Sequence, residues 1–234
     1  MEIIVTVGPS SLDSKVMSEM KKYGANKFRI NLSHSSPDLL LQYHKVFSES
    51  GIRPSIDTQG AQVRIVRIVA NGDYFNVDDC IRLGFYGMSN SDLNDLCVNH
   101  AELFQYLDVG DVIKFGFDGL IGKVCEVDKV GAFATVRIIS KGAVSLNKAI
   151  DVCNKKIFLR PFTEFDIQAL SDCVDNRVET VYLSFCDSSS TVELAKSYIE
   201  NGCRGVGQGS EAIEVIAKIE TIEGFRNLDS IAAS

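Results

Sequence analysis

The sequence contains no tryptophan, few prolines and histidines (4 and 3), and no apolar run of the ~20 residues that a membrane-spanning helix needs. Its first residues, MEIIVTVGPSS, lack the basic start and the long apolar core of a signal peptide. Lysine and arginine total 24 against 31 acidic residues, giving a net charge of −7 without a basic stripe. These absences disfavour a membrane protein, a secreted protein and a binder of duplex nucleic acid. The sequence therefore predicts a cytoplasmic protein, and it leaves an anionic small molecule open as a ligand, since a local cluster of arginine and lysine can operate inside an acidic protein.

The 7 cysteines are scattered singly along the chain. They form no CxxC motif, and no pair of histidines accompanies them. Disulfide frameworks and zinc sites both need regular spacing of their ligands. We expect the cysteines to be reduced and to fill the core for the most part.

Strand-like and helix-like patterns alternate at both ends of the chain. The first series consists of the strands IIVTV, NKFRINL and IRPSID, with the helices LDSKVMSEMKKYG, capped by Ser11, and PDLLLQYHKVFSESG, closed by Gly51. After Phe162 come the helix TEFDIQALSDCV with a capping box of Thr163 and Asp166, the strand VETVYLSF, the helix SSTVELAKSYIENG, the strand EVIAKIE and a final helix TIEGFRNLDSIAA. This alternation predicts parallel strands joined by helices.

The pattern changes between residues 61 and 160. Short β-rich runs follow one another there, split by Gly, Asp and Asn: AQVRIVRIV, DCIRLGF, DVIKFGF, LIGKVCEV and FATVRIIS. Such runs predict an antiparallel β domain with close turns. The predicted fold is thus α/β, with parallel strands at residues 1–60 and 161–234 and an inserted all-β domain at 61–160. The family resemblance given below implies that the parallel part is a TIM-barrel type domain. The barrel part supplies five strands, about half of an eight-stranded barrel of ~250 residues.

Polar and charged residues collect where the predicted parallel strands end, which is where ligands bind in such folds. They are Thr6, Gly8 and Pro9, then Arg29, Asn31, Ser33 and His34, then Asp57, Thr58, Gln59 and Arg64, then Ser184, Lys218 and Glu220. The cationic side chains suit phosphate or carboxylate, and the oxygen-bearing ones suit Mg²⁺ or a monovalent cation. Taken singly, such residues are often helix caps or surface ion pairs. Their convergence on one face favours a site of the kind that phosphoryl transfer requires.

A glycine-rich stretch, GVGQGS at 205–210, has the spacing of a phosphate loop but precedes a strand instead of following one. This order disfavours a phosphate-binding role.

Several segments resemble the pyruvate kinase family, in the family's order and over nearly the whole chain. IIVTVGPSS is similar to the family's KIVCTIGPAS, NKFRINLSHSS to its NxxRxNxSHG stretch, and IDTQGAQVR to LDTKGPEIR. VGDVIKFGFDGLI is similar to a segment of the family's inserted domain that ends in DDGLI. TEFDIQALSDCVDNRVETVYLSF resembles the helix and strand after that domain, and VIAKIETIEGFRNLDSIAAS resembles IISKIENxEGVxNxDEIxxAS.

The resemblance implies a phosphotransferase that moves a phosphoryl group between phosphoenolpyruvate and a nucleoside diphosphate, with Mg²⁺ (or Mn²⁺) and K⁺ as cofactors. Arg29 would contact the substrate anion, and Lys218 would stabilise the transferring phosphoryl group and the enolate of pyruvate. Glu220 would be one of two carboxylates on the divalent metal. The K⁺ ion would be held by Asn31, Ser33, Asp57 and Thr58.

Nucleotide contacts for ADP or ATP are implied at four further positions of the resemblance. They are Asn31, His34, Arg64 and Lys148, the last in NKAIDV, which is similar to the family's KKGVNL. Arg64 is counted with Lys218 and Arg29 among the implied catalytic residues. Asp118 falls on the acidic tip of the inserted domain.

The chain also departs from the family pattern. Gln59 stands where the family has lysine, Ala61 where it has proline and Gln62 where it has glutamate, and CDSS follows Ser184 and Phe185 in place of a basic pair. The family continues past the position of Ser234 with a strand that bears the second metal carboxylate, more barrel strands and a C-terminal domain. We therefore expect a truncated relative, completed as a homo-oligomer or by residues outside this chain.

Two functions follow from these observations. Lys218 and Glu220 favour a phosphotransferase or a related enzyme acting on phosphoenolpyruvate or pyruvate. Gln59 and the lost basic pair favour a non-catalytic relative that binds a phosphorylated or carboxylate ligand.

Overall fold

The computed structural model describes residues 1–69, 72–88, 93–116, 119–202 and 212–234. The strands and helices follow one another as β1 (Ile4–Thr6), α1 (Ser14–Lys22), β2 (Lys27–Asn31), α2 (Pro37–Ser50), β3 (Pro54–Asp57), β4 (Ile65–Ile68), β5 (Tyr74–Phe75), β6 (Cys80–Phe85), β7 (Leu96–Val98), α3 (Leu103–Tyr106), β8 (Val112–Phe115), β9 (Ile121–Asp128), β10 (Phe133–Ser140), β11 (Gly142–Ala143), β12 (Ile150–Val152), α4 (Glu164–Ser171), β13 (Thr180–Leu183), α5 (Ser189–Gly202), β14 (Glu214–Ala217), α6 (Ile222–Arg226) and α7 (Leu228–Ala232). A 3-10 helix, Leu32–His34, follows β2.

The chain divides into two compact units, each with its own hydrophobic core. The first comprises Met1–Ala61 and Pro161–Ser234, and the second comprises Gln62–Arg160. On the sequence, the junctions are predicted at 60/61 and 160/161.

The first unit contains a five-stranded sheet in the order β1-β2-β3-β13-β14, and every neighbouring pair is parallel. Helices connect the strands, as expected for parallel strands, which cannot be joined by tight hairpins. One set of strand side chains, including Phe28, Ile30, Ile56, Val181 and Leu183, joins the buried core of this unit. The prediction of a partial (β/α) barrel is confirmed.

The inner face of this sheet carries polar side chains, among them Arg29, Asn31 and Asp57. In β2, Lys27, Arg29 and Asn31 alternate with buried Phe28 and Ile30. The Lys27 ammonium forms a salt bridge with Glu214 of β14, although β3 and β13 lie between the two strands in the sheet. A contact across two intervening strands requires a strongly curved sheet with a concave inner face.

The Lys27–Glu214 pair should leave a signature in the pH dependence of stability. The hydrogen bond with Lys27 holds the pKa of Glu214 below its ordinary value of 4.5, and Glu214 raises the pKa of Lys27 above 10.5. The pair therefore stabilises the fold between these values, and the stabilisation is lost as the pH falls below 4.5 or rises above 10.5. Thermal unfolding of Lys27→Met and the wild type from acid to alkali should show the largest difference in Tm at neutral pH. A difference in Tm between Lys27→Met and the wild type that does not change with pH would contradict the pairing of Lys27 with Glu214.

The second unit is a β domain with a seven-stranded sheet in the order β12-β8-β9-β10-β6-β7-β4 and a two-stranded sheet of β11 and β5. The predicted antiparallel pairing is wrong for β6 and β7, which run parallel. Leu96, Cys97 and Val98 of β7 are all fully buried, so this strand has no polar alternation from which its orientation could be read. A short helix, α3, also interrupts the predicted run of strands.

Two helix boundaries differ from the prediction. Asp13, not Ser11, caps α1, because its carboxylate accepts from the N–H groups of Lys15 and Val16. Ser11 exchanges hydrogen bonds with Gly8 instead. The predicted single helix at the end of the chain is divided into α6 and α7 at Asn227, whose side-chain amide donates to the carbonyl of Asp187 at 2.8 Å.

The cysteines for which the structure gives a position are free thiols. Cys97, Cys173 and Cys186 are buried, which confirms the core-filling prediction for them, whereas Cys80 and Cys125 are exposed. Cys203 lies outside the described residues. Across the described ranges, no helix has both the length and the apolar character needed to cross a bilayer.

Candidate functional site

Asp57 is the centre of a charged cluster at the carboxyl end of the first unit's sheet. It is the last residue of β3, and its side chain is only 4% exposed. Its Oδ1 accepts from the Lys218 ammonium at 2.9 Å and from the Ser184 hydroxyl at 3.0 Å. Its Oδ2 lies 3.1 Å from Nη1 of Arg29. One buried carboxylate thus binds the two cationic side chains that the sequence assigns to an anion.

Lys218 and Glu220 lie two residues apart in the segment that follows β14. The Lys218 ammonium lies 3.6 Å from Oε1 of Glu220. The other oxygen of Glu220 accepts from the backbone N–H of Phe185 at 2.9 Å, which fixes the carboxylate. Oε1 is therefore the Glu220 atom directed toward the cluster.

Arg29 is held by a second strand of the sheet. Its Nε and Nη2 donate to the hydroxyl of Thr6 on β1 at 3.1 and 2.7 Å. Its Nη1 also lies 3.1 Å from Oδ2 of Asp57 in an ion pair. A guanidinium has five N–H donors, so donors remain for an incoming anion.

Ser184 joins the loops after β3 and β13. Its backbone N–H donates to the hydroxyl of Thr58 at 3.0 Å, and its own hydroxyl lies 2.6 Å from the Thr58 carbonyl oxygen. The same hydroxyl accepts from the Lys218 ammonium at 3.0 Å. Ser184 is a strand-end residue that the sequence placed here without a role, and the structure makes it a direct neighbour of both Asp57 and Lys218.

Asn31, the last residue of β2, and Ser33, in the 3-10 helix that follows, lie beside this cluster. Asn31 is the register partner of Asp57, and its Oδ1 accepts from the N–H of Ser33 at 3.0 Å. Ser33 is buried, whereas His34 is exposed at the end of the 3-10 helix. The structure therefore brings Asn31, Asp57 and Thr58 together and leaves the His34 side chain on the surface.

Gln59 has a structural environment that the sequence does not show. Its side-chain amide donates to the Leu32 carbonyl at 3.0 Å and accepts from the Thr163 hydroxyl at 3.1 Å. Its backbone N–H and that of Gly60 donate to the fully buried carboxylate of Asp166 at 2.7 and 3.1 Å. Burial raises the pKa of the Asp166 carboxyl, and these backbone donors oppose the rise.

Arg64 and Lys148 belong to the second unit. The Arg64 guanidinium donates to the Asn147 carbonyl at 2.8 Å, and the Lys148 carbonyl accepts from Ile65 N–H at 3.0 Å. The structure thus places these two predicted nucleotide contacts beside each other. Asp118 and the GVGQGS stretch lie outside the described residues.

Sequence reasoning missed the roles of Asp166 and of the Lys27–Glu214 pair. The capping box of Thr163 and Asp166 is visible in the sequence and is confirmed. The hydrogen bonds that Asp166 accepts from the backbone N–H groups of Gln59 and Gly60, over a hundred residues away, cannot be seen in the sequence. Lys27 had a local signal, since it belongs to the polar alternation of β2.

The donor set can be compared with the chemistry of the two implied cations. Carboxylate, amide and hydroxyl oxygens at the ends of β2 and β3 suit a hard monovalent cation, provided that Asp57 exchanges a present partner for it. For Mg²⁺, the described residues place Glu220 with one oxygen facing the cluster, and no group of three or more His, Cys, Asp or Glu side chains occurs among them. Mg²⁺ commonly uses one or two carboxylates together with substrate phosphates, so Glu220 fits as one ligand.

The fold and the site together define a partial (β/α)-barrel protein that carries an inserted β unit and a charged cluster at its strand ends. The family model "Pyruvate kinase, barrel domain" matches residues 1–234. The chain belongs to the pyruvate kinase family.

Individual relatives are distant and longer. The chain is 26% identical to plastidial pyruvate kinase 3, chloroplastic, of Arabidopsis thaliana, covering 100% of this chain and 40% of that protein. It is 27% identical to a pyruvate kinase of Aeropyrum pernix, and the match covers 99% of this chain and 48% of that protein. A crystal structure of Cryptosporidium parvum pyruvate kinase superposes with a TM-score of 0.84 at 20% identity, over 99% of this chain and 49% of that one, which shows the shared fold. The chain thus spans about half the length of the curated relatives it matches.

Proposed function

We propose that this chain carries part of a pyruvate kinase-type active site that binds phosphoenolpyruvate or pyruvate and transfers a phosphoryl group to or from ADP or ATP. The observation that supports it is the convergence of Arg29 and Lys218 on Asp57, with Glu220 adjacent, at the carboxyl end of the sheet. Arginine and lysine side chains are the groups that bind the phosphate and the carboxylate of such a substrate.

In this proposal the chain's own residues bind and position the substrate. Arg29, fixed by Thr6, directs its remaining N–H donors at the phosphate or carboxylate. Lys218 places a mobile positive charge where negative charge develops on the transferring group and on the enolate oxygen. Glu220 would hold Mg²⁺ or Mn²⁺, which neutralises phosphate charge when bound. Asn31, Ser33, Asp57 and Thr58 would hold K⁺, and His34, Asn31, Arg64 and Lys148 would contact the nucleotide.

The open sheet gives a reason to propose a partner. Within the described part of the chain, β1 and β14 each have one neighbour in the sheet. A cavity of about 480 Å³ beside β14 is lined mainly by apolar residues, among them Val192, Val215, Ala217, Ile219, Leu228 and Ile231. We propose that a second copy or residues outside this chain cover this face in the working protein. Light scattering coupled to gel filtration would show a dimer or larger assembly if a second copy does so.

A coupled assay for pyruvate formation from phosphoenolpyruvate, ADP, Mg²⁺ and K⁺ tests the proposed activity. Lys218→Met should lower turnover by a factor of about 10²–10³, the effect of removing one preorganised charge or donor at a reacting oxygen. Lys15→Met, at an exposed lysine of α1, is the matched control and should leave turnover unchanged. Equal turnover in wild type and Lys218→Met would refute the role of Lys218.

A binding protein without turnover is the second candidate, and the environment of Gln59 favours it. A neutral amide whose donor and acceptor are both engaged supplies no charge to a substrate. In that case phosphoenolpyruvate should raise the Tm of the chain while the coupled assay shows no pyruvate. Absence of both turnover and a thermal shift would contradict both candidates.

A further inference from the structure

The segment after β13 contains one residue more than its pairing with β14 requires. The backbone N–H of Lys218 donates to the carbonyl of Leu183 at 2.9 Å, which continues the parallel register of the two strands. In a regular parallel ladder, the residue two positions after Leu183 would donate to the Lys218 carbonyl. That residue is Phe185, but the N–H of Cys186 takes its place at 3.2 Å. Phe185 is therefore the extra residue of a β-bulge.

The backbone of Phe185 is strained. Its φ is +54°, in the left-handed region that residues with a bulky side chain rarely adopt. Such conformations persist only where the surrounding structure holds them in place, and they are concentrated at functional sites. β-Bulges likewise occur beside active sites, where they change the direction of a group or end the pairing of a strand.

Contacts on both sides hold the bulge in this conformation. Before it, the N–H and the hydroxyl of Ser184 are both engaged in hydrogen bonds with the loop after β3. After it, α6 approaches so closely that a Cβ on Gly224 would lie 2.4 Å from the Cys186 carbonyl oxygen. The side-chain amide of Asn227 donates to the next carbonyl, that of Asp187, at 2.8 Å. The surrounding structure thus determines the path of the bulge.

The bulge releases one backbone N–H from the ladder, and Glu220 accepts it. The N–H of Phe185 donates to Oε2 of Glu220 at 2.9 Å. The other oxygen, Oε1, lies 3.6 Å from the Lys218 ammonium. Glu220 is exposed, and an exposed glutamate without such an anchor keeps most of its rotamer freedom. The hydrogen bond therefore decides which carboxylate oxygen faces the cluster.

We propose that the bulge at Phe185 positions Glu220, because the released N–H orients the carboxylate that would bind the divalent metal. This inference rests on the proposed function, from which it takes Glu220 as a metal ligand. Groups that hydrogen-bond to a metal-binding side chain fix its orientation, and loss of such a partner typically weakens metal binding by about 10–100-fold. Phe185 is a positioning residue that acts through its backbone, so the conformation it adopts matters more than its ring.

Mn²⁺ binding, measured from the electron paramagnetic resonance signal of the free ion, tests the inference with Mn²⁺ alone as the probe. Glu220→Gln defines the part of the binding that belongs to this site. Phe185→Val should weaken that part about tenfold, because branching at Cβ hinders left-handed backbone. Phe185→Gly and Phe185→Asn tolerate this conformation and should bind Mn²⁺ like the wild type. Arg177→Val is the matched control: Arg177 has the same φ of +54° but precedes β13, so its variant should leave Mn²⁺ binding unchanged.

A second measurement needs no variant. Mg²⁺ bound to Glu220 draws charge from the carboxylate, so the amide signal of Phe185 in two-dimensional NMR spectra should shift as Mg²⁺ is added, and that of Arg177 should not. Equal Mn²⁺ affinity of Phe185→Val and Phe185→Gly, an equal loss in Arg177→Val, or a Phe185 signal that does not move with Mg²⁺ would overturn the inference. If Phe185→Val does not fold, the Phe185 signal decides. Absence of Mn²⁺ binding to the wild type would overturn this inference together with the metal role of Glu220, whereas Mn²⁺ binding without turnover in the coupled assay would contradict only the proposed phosphoryl transfer.

Discussion

Asp166→Ala is expected to lower the free energy of unfolding of the first unit by about 4 kcal/mol, because each buried N–H left without a partner costs about 1–3 kcal/mol. The Asp166 carboxylate is fully buried and accepts from three backbone N–H groups, those of Gln59, Gly60 and Thr163. These donors lie at the two points where the chain leaves and re-enters the first unit. A loss of this size is a large part of the 5–15 kcal/mol that typically stabilises a domain.

Two matched variants make this prediction specific. Asp13 also caps a helix through two backbone N–H groups but is exposed, so Asp13→Ala should cost only about 1 kcal/mol. In Asp166→Asn, a carbonyl at the position of Oδ2 keeps the bonds to Gly60 and Thr163, while the amide N–H₂ faces the N–H of Gln59. Its loss should therefore be intermediate. Urea unfolding followed by circular dichroism measures all three, and equal losses for Asp13→Ala and Asp166→Ala would contradict the argument.

The contrast between the Asp13 and Asp166 caps shows which features of the fold can be predicted from the sequence. Local patterns predicted the parallel series, the five strands and the capping box of α4, because periodicity and caps act over a few residues. The parallel pairing of β6 with β7 and the break at Asn227 depend on tertiary contacts, to buried neighbours in one case and to the Asp187 carbonyl in the other. Neither contact has a local signature.

The sequence named the residues of the charged cluster but did not show which of them contact each other. Strand ends and the family resemblance gave Arg29, Asp57, Lys218 and Glu220. The resting partner of Lys218 could not be read from the sequence, since both Asp57 and Glu220 offer a carboxylate and only the curvature of the sheet decides the distances. Gln59 is the clearer example: as a sequence letter it signals a lost charge, and in the structure it bridges Leu32 and Thr163.

Gly60→Ala is expected to damage both stability and ligand binding. Gly60 has φ +70°, and a Cβ there would lie 2.5 Å from the Ser184 carbonyl oxygen and 2.9 Å from the Ser184 Cβ. Left-handed backbone costs a residue with a side chain about 1–2 kcal/mol, and forced overpacking adds about 1–3 kcal/mol. Because the carbonyl and Cβ of Ser184 would both have to move, its hydroxyl would shift relative to Asp57 and Lys218.

Gly51→Ala separates the effect of the contact with Ser184 from the cost of placing a side chain on left-handed backbone. Gly51 has nearly the same conformation, φ +67°, but a Cβ there would meet no atom within 4 Å. Both variants pay the same conformational cost, so the excess loss in Gly60→Ala, about 2 kcal/mol in urea unfolding, measures the contact with Ser184. The shift in Tm caused by phosphoenolpyruvate should be preserved in Gly51→Ala and reduced in Gly60→Ala. Equal losses and equal shifts in the two variants would mean that the loop after β3 yields freely, and that Ser184 is not held in place by Gly60.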